Sequence, residues 1–436
     1  MGGHVFARGR DLPVAVRGHG CEITDADGRT YLDGAGGAIV VGIGHGVGQV
    51  GEAIAAQSAR LAYAHGSAFT TDTLEEYADR LAGILPVTDA RVYPVSGGSE
   101  AVETALKMAR AYHLARGQDR HVVIGRSGSY HGNTRGALDV GSRDGLRAPY
   151  LPWLGQAAHT GTPYEYRCAA PAHPQGCGRW HAEQLDILIT QLGSERVAAF
   201  IAEPVSGAAL GACVPPEDYW PAIQDVCRAH GVLVVADEVM TGFGRTGRWF
   251  ASEHFGLEPD LLVAAKGAAS GYWPLGLAVA SGAVHDTIGE ASLTHGFTYS
   301  HHHVGAAAGL AVLDYLVEHD LVAASAERGA QLGTALAERL GDHPHVGDVR
   351  GLGLLRAVEL VADRETRAPF PRAERVTERV LAAGKAAGVL IYPGTGCADG
   401  TNGDLLVLGP PLVITPAQVE RLAGLVAGAV REVLPG

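Results

Sequence analysis

The chain has 436 residues and 47% hydrophobic content, ample for a large core and longer than a usual single domain, so two domains are expected. A net charge of -13 argues against a nucleic-acid surface, which needs a basic face. No apolar stretch has the length to span a bilayer and Met1–Arg8 carries no apolar signal core, so a soluble chain of the cytoplasm is the expected setting.

At the N-terminus, the run from Glu22 to Leu32 reads as a hairpin expected to join a sheet formed by the C-terminal part of the chain. Gly46-Val47-Gly48-Gln49-Val50-Gly51 satisfies the G-x-G-x-x-G spacing of dinucleotide sites. Gly44-His45 stands before it in place of a clean strand, and no strand ending in an acid follows about 20 residues on. A nicotinamide dehydrogenase is therefore a poor reading.

Apolar β-rich runs then alternate with helical stretches. The expected strands are Arg91–Val95, His121–Gly125, Val197–Ala202, Val232–Ala236, Leu261–Ala265 and Leu277–Ser281, with helices such as Ala101–Ala115 and Tyr219–His230 between them. This alternation predicts an α/β fold with a mostly parallel sheet and helices on both faces. Ligands in such sheets gather at the carboxyl ends of the strands.

Four of those ends carry chemistry. Ser96-Gly97-Gly98-Ser99-Glu100-Ala101 follows the first strand as a glycine turn and helix start, where backbone N–H groups and the helix N-terminus favour an anion. The competing reading is an ordinary strand-to-helix turn. Ser129-Tyr130-His131-Gly132 follows the next strand, and Tyr130 is either a ring for stacking on a flat ligand or a half-buried loop tyrosine. Val232–Val239 ends in Asp237-Glu238, and a buried carboxylate there needs a cation or a donor. A protonated heteroaromatic nitrogen, a turn cap or a metal pair would each serve; no histidine cluster of ligand spacing lies beside the pair, which argues against metal. Lys266 closes an apolar run and is followed by Gly267. Burial would lower its pKa and make it a nucleophile for carbonyls, against the alternative of a lysine whose stem is buried and whose head is wet.

The six cysteines, Cys21, Cys168, Cys177, Cys213, Cys227 and Cys397, are scattered without a CxxC. Cys168 and Cys177 lie near His173 and His181, but the spacing fits no standard zinc pattern and the segment is rich in Ala, Pro and Gly. A surface excursion with no metal, and free thiols in a reducing compartment, are expected. Further on, an Ala-rich helix from about Val304 to Leu321 should leave the first domain. Asp348–Leu360 and Leu405–Leu408 read as strands of a smaller sheet, and Thr415-Pro416 caps a final helix to about Val433.

A phosphate turn, a stacking ring, an acid for a ring nitrogen and a carbonyl-reactive lysine form the parts list for pyridoxal 5'-phosphate. The sequence resembles the class III, omega-type aminotransferases of fold type I. The resemblance rests on Ser96–Arg110 (SGGSEAVETALKMAR), Tyr130–Gly132, Ala236–Gly247 (ADEVMTGFGRTG), Asp260–Gly276 (DLLVAAKGAASGYWPLG) and Gly296–Ser300 (GFTYS), and it runs from Tyr31-Leu32-Asp33 to Pro410-Pro411-Leu412. It implies a mostly parallel seven-stranded sheet in a large cofactor domain (46–320), a smaller α+β domain (321–436) and an N-terminal segment (1–45) packed with the latter. It also implies that Lys266 forms the Schiff base and shuttles the proton, while Asp237 bonds the pyridine nitrogen. Tyr130 stacks on one ring face and Val239 on the other; Gly98 and Ser99 hold the phosphate, and His131 and Glu203 sit at the cofactor. Thr298 reaches the phosphate of a neighbouring subunit, which implies a homodimer with shared sites, or a tetramer built from such dimers. The implied reaction is ping-pong transfer of an amino group from an amine or omega-amino donor to a keto acid or aldehyde.

Three departures bear on the substrate. Many relatives carry an Arg near the strand before Pro410-Pro411-Leu412 to grip a carboxylate; Asp404–Gly409 and the loop Asp399–Gly403 have none. Tyr299-Ser300-His301-His302-His303 adds His301 and His303, which would line the substrate entrance or touch a partner subunit. Ala38 and Ile39 stand where relatives place a bulky aromatic, which predicts a roomier substrate pocket. An aminomutase or a decarboxylase would share nearly every residue named, with transamination the better reading.

Overall fold

The computed structural model describes residues 4, 6, 9, 12–155, 157–168, 176–289 and 293–436. Three short strands open the described chain: β1 (Ala15–His19), β2 (Glu22–Asp25) and β3 (Thr30–Asp33), joined as an antiparallel meander. The central sheet follows. Its strands are β4 (Arg91–Val95), β5 (Val122–Arg126), β6 (Ala158–Thr160), β7 (Val197–Ala202), β8 (Leu233–Asp237), β9 (Leu261–Ala264) and β10 (Gly276–Ala280), in the order β4-β10-β9-β8-β7-β5-β6. Only β10 runs antiparallel to its neighbours. All six expected strands are present within a residue or two, and the seven-stranded, mostly parallel sheet is as expected.

The sequence dictates this arrangement simply. Every residue of β7, β8, β9 and β10 is buried, as continuous apolar runs covered on both faces require. Pro94 interrupts β4, which the sheet tolerates because β4 is an edge strand. Helices Gly98–Ala115 and Tyr219–His230 bury Ala101, Val102, Ala105 and Met108, and Tyr219, Trp220 and Ile223, in clusters on the sheet.

The helix expected over Val304–Leu321 spans His303–Glu318, and a second begins at Leu321 after Asp320 turns left-handed with φ 46°. Beyond it lie β11 (Val346–Leu352), β12 (Leu355–Leu360), β13 (Val389–Leu390), β14 (Tyr392–Thr395) and β15 (Asp404–Leu408). The stretch Asp348–Leu360 is a hairpin rather than one strand. The final helix, Pro416–Val433, is capped as expected: Thr415 and Gln418 satisfy each other's backbone N–H groups in a capping box.

One expectation is corrected. The N-terminal hairpin does not join the sheet β11-β12-β15-β14; it forms a separate sheet, β1-β2-β3-β13, by parallel pairing of β3 with β13. β13 is two residues long and gives no pattern to read. The chain passes from one small sheet to the other across Ile391.

Among the described residues no helix is long and apolar enough to cross a membrane. The G-x-G-x-x-G stretch opens the helix Gly48–Arg60, but only an isolated bridge, Gly20 to His45, precedes it. The Val47 N–H donates to the Tyr272 hydroxyl, which itself donates to the Gly44 carbonyl, so local packing accounts for the turn.

Candidate active site

The carboxyl ends of β4, β5, β7, β8 and β9 open on one cleft of about 390 Å³. Gly98, Ser99, Tyr130, His131, Glu203, Asp237, Val239 and Lys266 all line it. A larger cavity of about 820 Å³ lies elsewhere, lined by Glu75, Tyr93, His295 and His301 among others. It has neither a lysine nor a glycine turn opening a long helix, so the chemistry belongs to the smaller cleft.

Lys266 stands two residues beyond β9, with φ 40°. That left-handed backbone is uncommon for a side-chain-bearing residue and clusters at functional sites. Burial of its amine outweighs the attraction of Asp237 and Glu203 and, with Arg245 nearby, pulls its pKa down to about 8. At pH 7 roughly one such lysine in ten is neutral, about 300-fold more than for an ordinary lysine. A falling pKa favours the neutral, nucleophilic form, so reactivity rises with pH up to the pKa. Protein stripped of cofactor is therefore expected to recapture pyridoxal phosphate about tenfold faster per pH unit up to about pH 8, then level off. Stopped-flow absorbance reads this; a rate still climbing tenfold per unit at pH 10 would contradict the buried environment.

Asp237 is the last residue of β8 and is 3% exposed. One carboxylate oxygen accepts from His131 Nδ1 at 2.6 Å, the other from the Val239 N–H at 3.0 Å. A carboxylate has about four lone-pair positions, so capacity remains for a ring N–H. Burial disfavours the charged form of His131, but its hydrogen bond to Asp237 and the charges of Asp237 and Glu203 together hold its pKa above the usual value. Neighbouring Glu238 turns the other way. It accepts from the Ser252 N–H at 2.6 Å, the Ser252 hydroxyl at 2.7 Å and the Ala251 N–H at 3.0 Å, with Thr241 as a further donor. The two acids thus divide the work: Glu238 holds a turn and Asp237 faces the cleft, which removes the metal-pair reading.

Glu203 follows β7 directly. Its side chain accepts from the Tyr130 N–H at 3.4 Å and from Arg126, which also donates to the Glu203 carbonyl at 2.6 Å. It therefore fixes the backbone that carries Tyr130. Ser99 Oγ donates to Asn133 at 2.9 Å and accepts from the Asn133 N–H at 3.1 Å. Among the described residues no side chain caps the helix that opens at Gly98, so its first N–H groups are available to an anion. Two glycines sit tightly here, and Gly132 has no room for a side chain. A Cβ on Gly98 would stand 3.1 Å from Val239, and one on Gly132, at φ +142°, would stand 2.6 Å from Ser99 Oγ. Gly132→Ala is expected to weaken cofactor affinity at least about tenfold by displacing Ser99; a spectroscopic titration with pyridoxal phosphate that gives the parent affinity would count against this cradle.

The remaining assignments fare differently. Thr298 does not line the cleft of its own chain, and its carbonyl accepts from the Tyr63 hydroxyl at 2.7 Å. His301 does not line it either: it packs edge-on against Tyr93 at 4.5 Å in the larger cavity, so its reading as a lining of the entrance fails within one chain. His302 instead lies beside Trp273, which does line the cleft. Ala38 is exposed, while Ile39 is 2% exposed and belongs to a core cluster with Val205 and Leu210. The cleft is lined by Val40 instead. The backbone is non-helical at Gly37 (φ 68°, ψ -106°) and Ala38 (φ -107°, ψ 44°), which kinks this segment.

Sequence reasoning missed Arg126 and Asn133, which hold Glu203 and Ser99, and did not foresee the His131–Asp237 bond. Arg126 ends β5 and Asn133 follows Gly132, so strand-end position was the one available signal.

An uncapped helix N-terminus beside Ser99, an acid with free acceptor capacity and a lysine of lowered pKa fit phosphate, ring nitrogen and aldehyde respectively. Fold and cleft together define a pyridoxal-phosphate enzyme of fold type I. The profile of the class-III aminotransferases matches residues 5–430. The putrescine–pyruvate aminotransferase of Pseudomonas aeruginosa is 35% identical over 94% of this chain and 88% of its own length. An (S)-enantioselective omega-transaminase from Thermomicrobium roseum superposes with a TM-score of 0.91 at 37% identity, covering 97% of this chain and 93% of that one. A PLP-bound amine transaminase from an uncultivated Pseudomonas species gives 0.90 at 38%, covering 100% and 97%. The chain belongs to the class-III aminotransferases, and its reaction is pyridoxal-phosphate-dependent transamination.

Proposed function

We propose that the donor is an amine without an α-carboxylate and the acceptor a keto acid or aldehyde, handled in the cytoplasm by a homodimer with shared sites. The observation that carries the donor reading is the cleft lining: among the described residues it contains no arginine, and Lys266 is its one lysine. A carboxylate held tightly in such a cleft wants a bidentate guanidinium. The relative named for putrescine, a diamine without a carboxylate, supports this reading. The test is a half-reaction screen. The pyridoxal form is mixed with single amines or amino acids, without acceptor, and its visible band is followed. Diamines and aryl-alkyl amines are expected to bleach it at least about tenfold faster than α-amino acids; the reverse order would overturn the proposal.

When bound, pyridoxal phosphate supplies an aldehyde to receive the amine and a ring to take up electrons. Lys266 Nζ would hold that group covalently through its aldehyde and, once freed by the incoming amine, would take up and move the proton of the substrate carbon. Asp237, held by His131, would face the ring nitrogen and keep it protonated. Tyr130 and Val239 line the cleft where they would flank the ring, and Ser99 with the N–H groups at Gly98 would hold its phosphate.

Thr298 serves the partner's site in this proposal. The exposed rings of Phe69 and Tyr299, on segments 61–70 and 298–303, support a subunit contact there, and His301 belongs to it. Free cysteines agree with a reducing compartment.

Val40 takes over the size-selecting role assigned to Ala38 and Ile39. Val40→Trp is expected to slow bulky amines at least about tenfold relative to small ones. Ile39→Trp is expected to cost about 1–3 kcal/mol or more of stability by overpacking, with little change in selectivity. Equal selectivity in Val40→Trp and the parent would remove Val40 from the pocket.

A further inference from the structure

Away from the cleft, Cys168, Cys177 and His181 converge. Cys168 follows the turn Glu165–Arg167, and Arg167 is tied to Glu359 of β12. Cys177 is the first residue of the helix Cys177–Leu192, which Gly176 enters at φ +90°. His181 is one turn further along that helix, on the face of Cys177. Cys177 Sγ lies 3.6 Å from Cys168 Sγ, and Cys168 Sγ lies 3.9 Å from His181 Nε2. All three donor atoms are within 4.8 Å of one another. None of the three residues lines the cofactor cleft.

These separations have a simple meaning. A tetrahedral ion with metal–sulfur bonds of about 2.3 Å and metal–nitrogen bonds of about 2.0 Å holds its donors about 3.5–3.8 Å apart. The separations of 3.6 Å and 3.9 Å are close to those edges. They are too long for a sulfur–sulfur bond of about 2.05 Å. Two sulfurs and an imidazole form a soft donor set, which selects zinc over the hard cations magnesium and calcium.

We propose that Cys168, Cys177 and His181 bind a zinc ion that fastens the chain after Arg167 to the helix Cys177–Leu192. Binding turns both thiols into thiolates and releases two protons; the imidazole uses the lone pair of Nε2, and nothing is oxidised or reduced. Water supplies a fourth donor, as it does in sites with three protein ligands. His173 lies outside the described residues. The spacing Cys-x8-Cys-x3-His belongs to no standard pattern, which is why the sequence read alone gave an excursion without metal.

The test uses full-length holoenzyme, expressed with zinc, purified under reducing conditions and desalted. Plasma mass spectrometry is expected to find about one zinc per chain. Cys168→Ser and His181→Ala, each checked for the visible band of the loaded cofactor, are expected to lower zinc content or affinity at least about tenfold. Cys227→Ser, in the core elsewhere, should leave it unchanged. Alkylation of the parent protein gives a second readout that needs no variant: Cys168 and Cys177 should react slowly with zinc bound and quickly after chelation. A parent protein with less than about a tenth of an equivalent of zinc, alkylation rates unaffected by chelator, or a Cys168–Cys177 disulfide in the reduced protein would each overturn the proposal.

Discussion

Lys266→Ala is expected to abolish transamination, with kcat lower by at least about 10⁴-fold. Two proposed roles would be lost at once: the amine that would hold the aldehyde, and the base that would move the proton. No neighbour stands in. The chain has only two other lysines, Lys107 and Lys385. Lys107 lies beside His295 on the exposed side of its helix, and neither residue lines the cleft. The substitution should not unfold the protein, because it removes an amine whose charged form burial disfavours. Ser99, Asp237 and Glu203 remain, so the variant should still take up pyridoxal phosphate without the covalent shift of its visible band. A small external amine should restore part of the proton transfer. Turnover within about tenfold of the parent would defeat the assignment.

The second large effect belongs to Asp237→Asn. The amide keeps the shape and loses the charge. His131 then loses the anion that holds its pKa above the usual value, and the ring nitrogen loses the partner that keeps it protonated. A fall in kcat of about 10²- to 10³-fold is expected, the range seen when a preorganised electrostatic partner is removed. A merely structural role would instead show as lost stability with the pH profile unmoved. The expected signature is a lowered kcat together with a titration of His131, followed by NMR, displaced toward lower pH. Unchanged kcat and unchanged His131 titration would show that Asp237 is not the ring-nitrogen partner.

Much of this site was legible because it sits where sequence pattern is strongest. Lys266 and Asp237 close continuous apolar strands, and strand ends in a parallel sheet are where ligands gather. Gly98-Ser99 opens a long helix directly after a strand. What failed to read out depends on geometry without a period. Val40 rather than Ala38 or Ile39 lines the cleft where the chain kinks at Gly37 and Ala38, and no hydrophobic pattern encodes those torsions. The His131–Asp237 bond joins residues 106 positions apart. β13 is two residues long and found only through its partner β3. Cys168, Cys177 and His181 meet because a turn anchored to β12 returns the chain to a helix, which spacing alone does not reveal.

Lys266 is proposed to carry the covalent chemistry. The most direct measurement is borohydride reduction of the pyridoxal-loaded protein, followed by peptide mass spectrometry. With three lysines in the chain, the outcome is unambiguous. One pyridoxyl group per chain is expected, on Lys266, with none on a substrate-treated sample that has gone to the amine form. A label on Lys107 or Lys385, or no label on a protein that turns over amines, would contradict it.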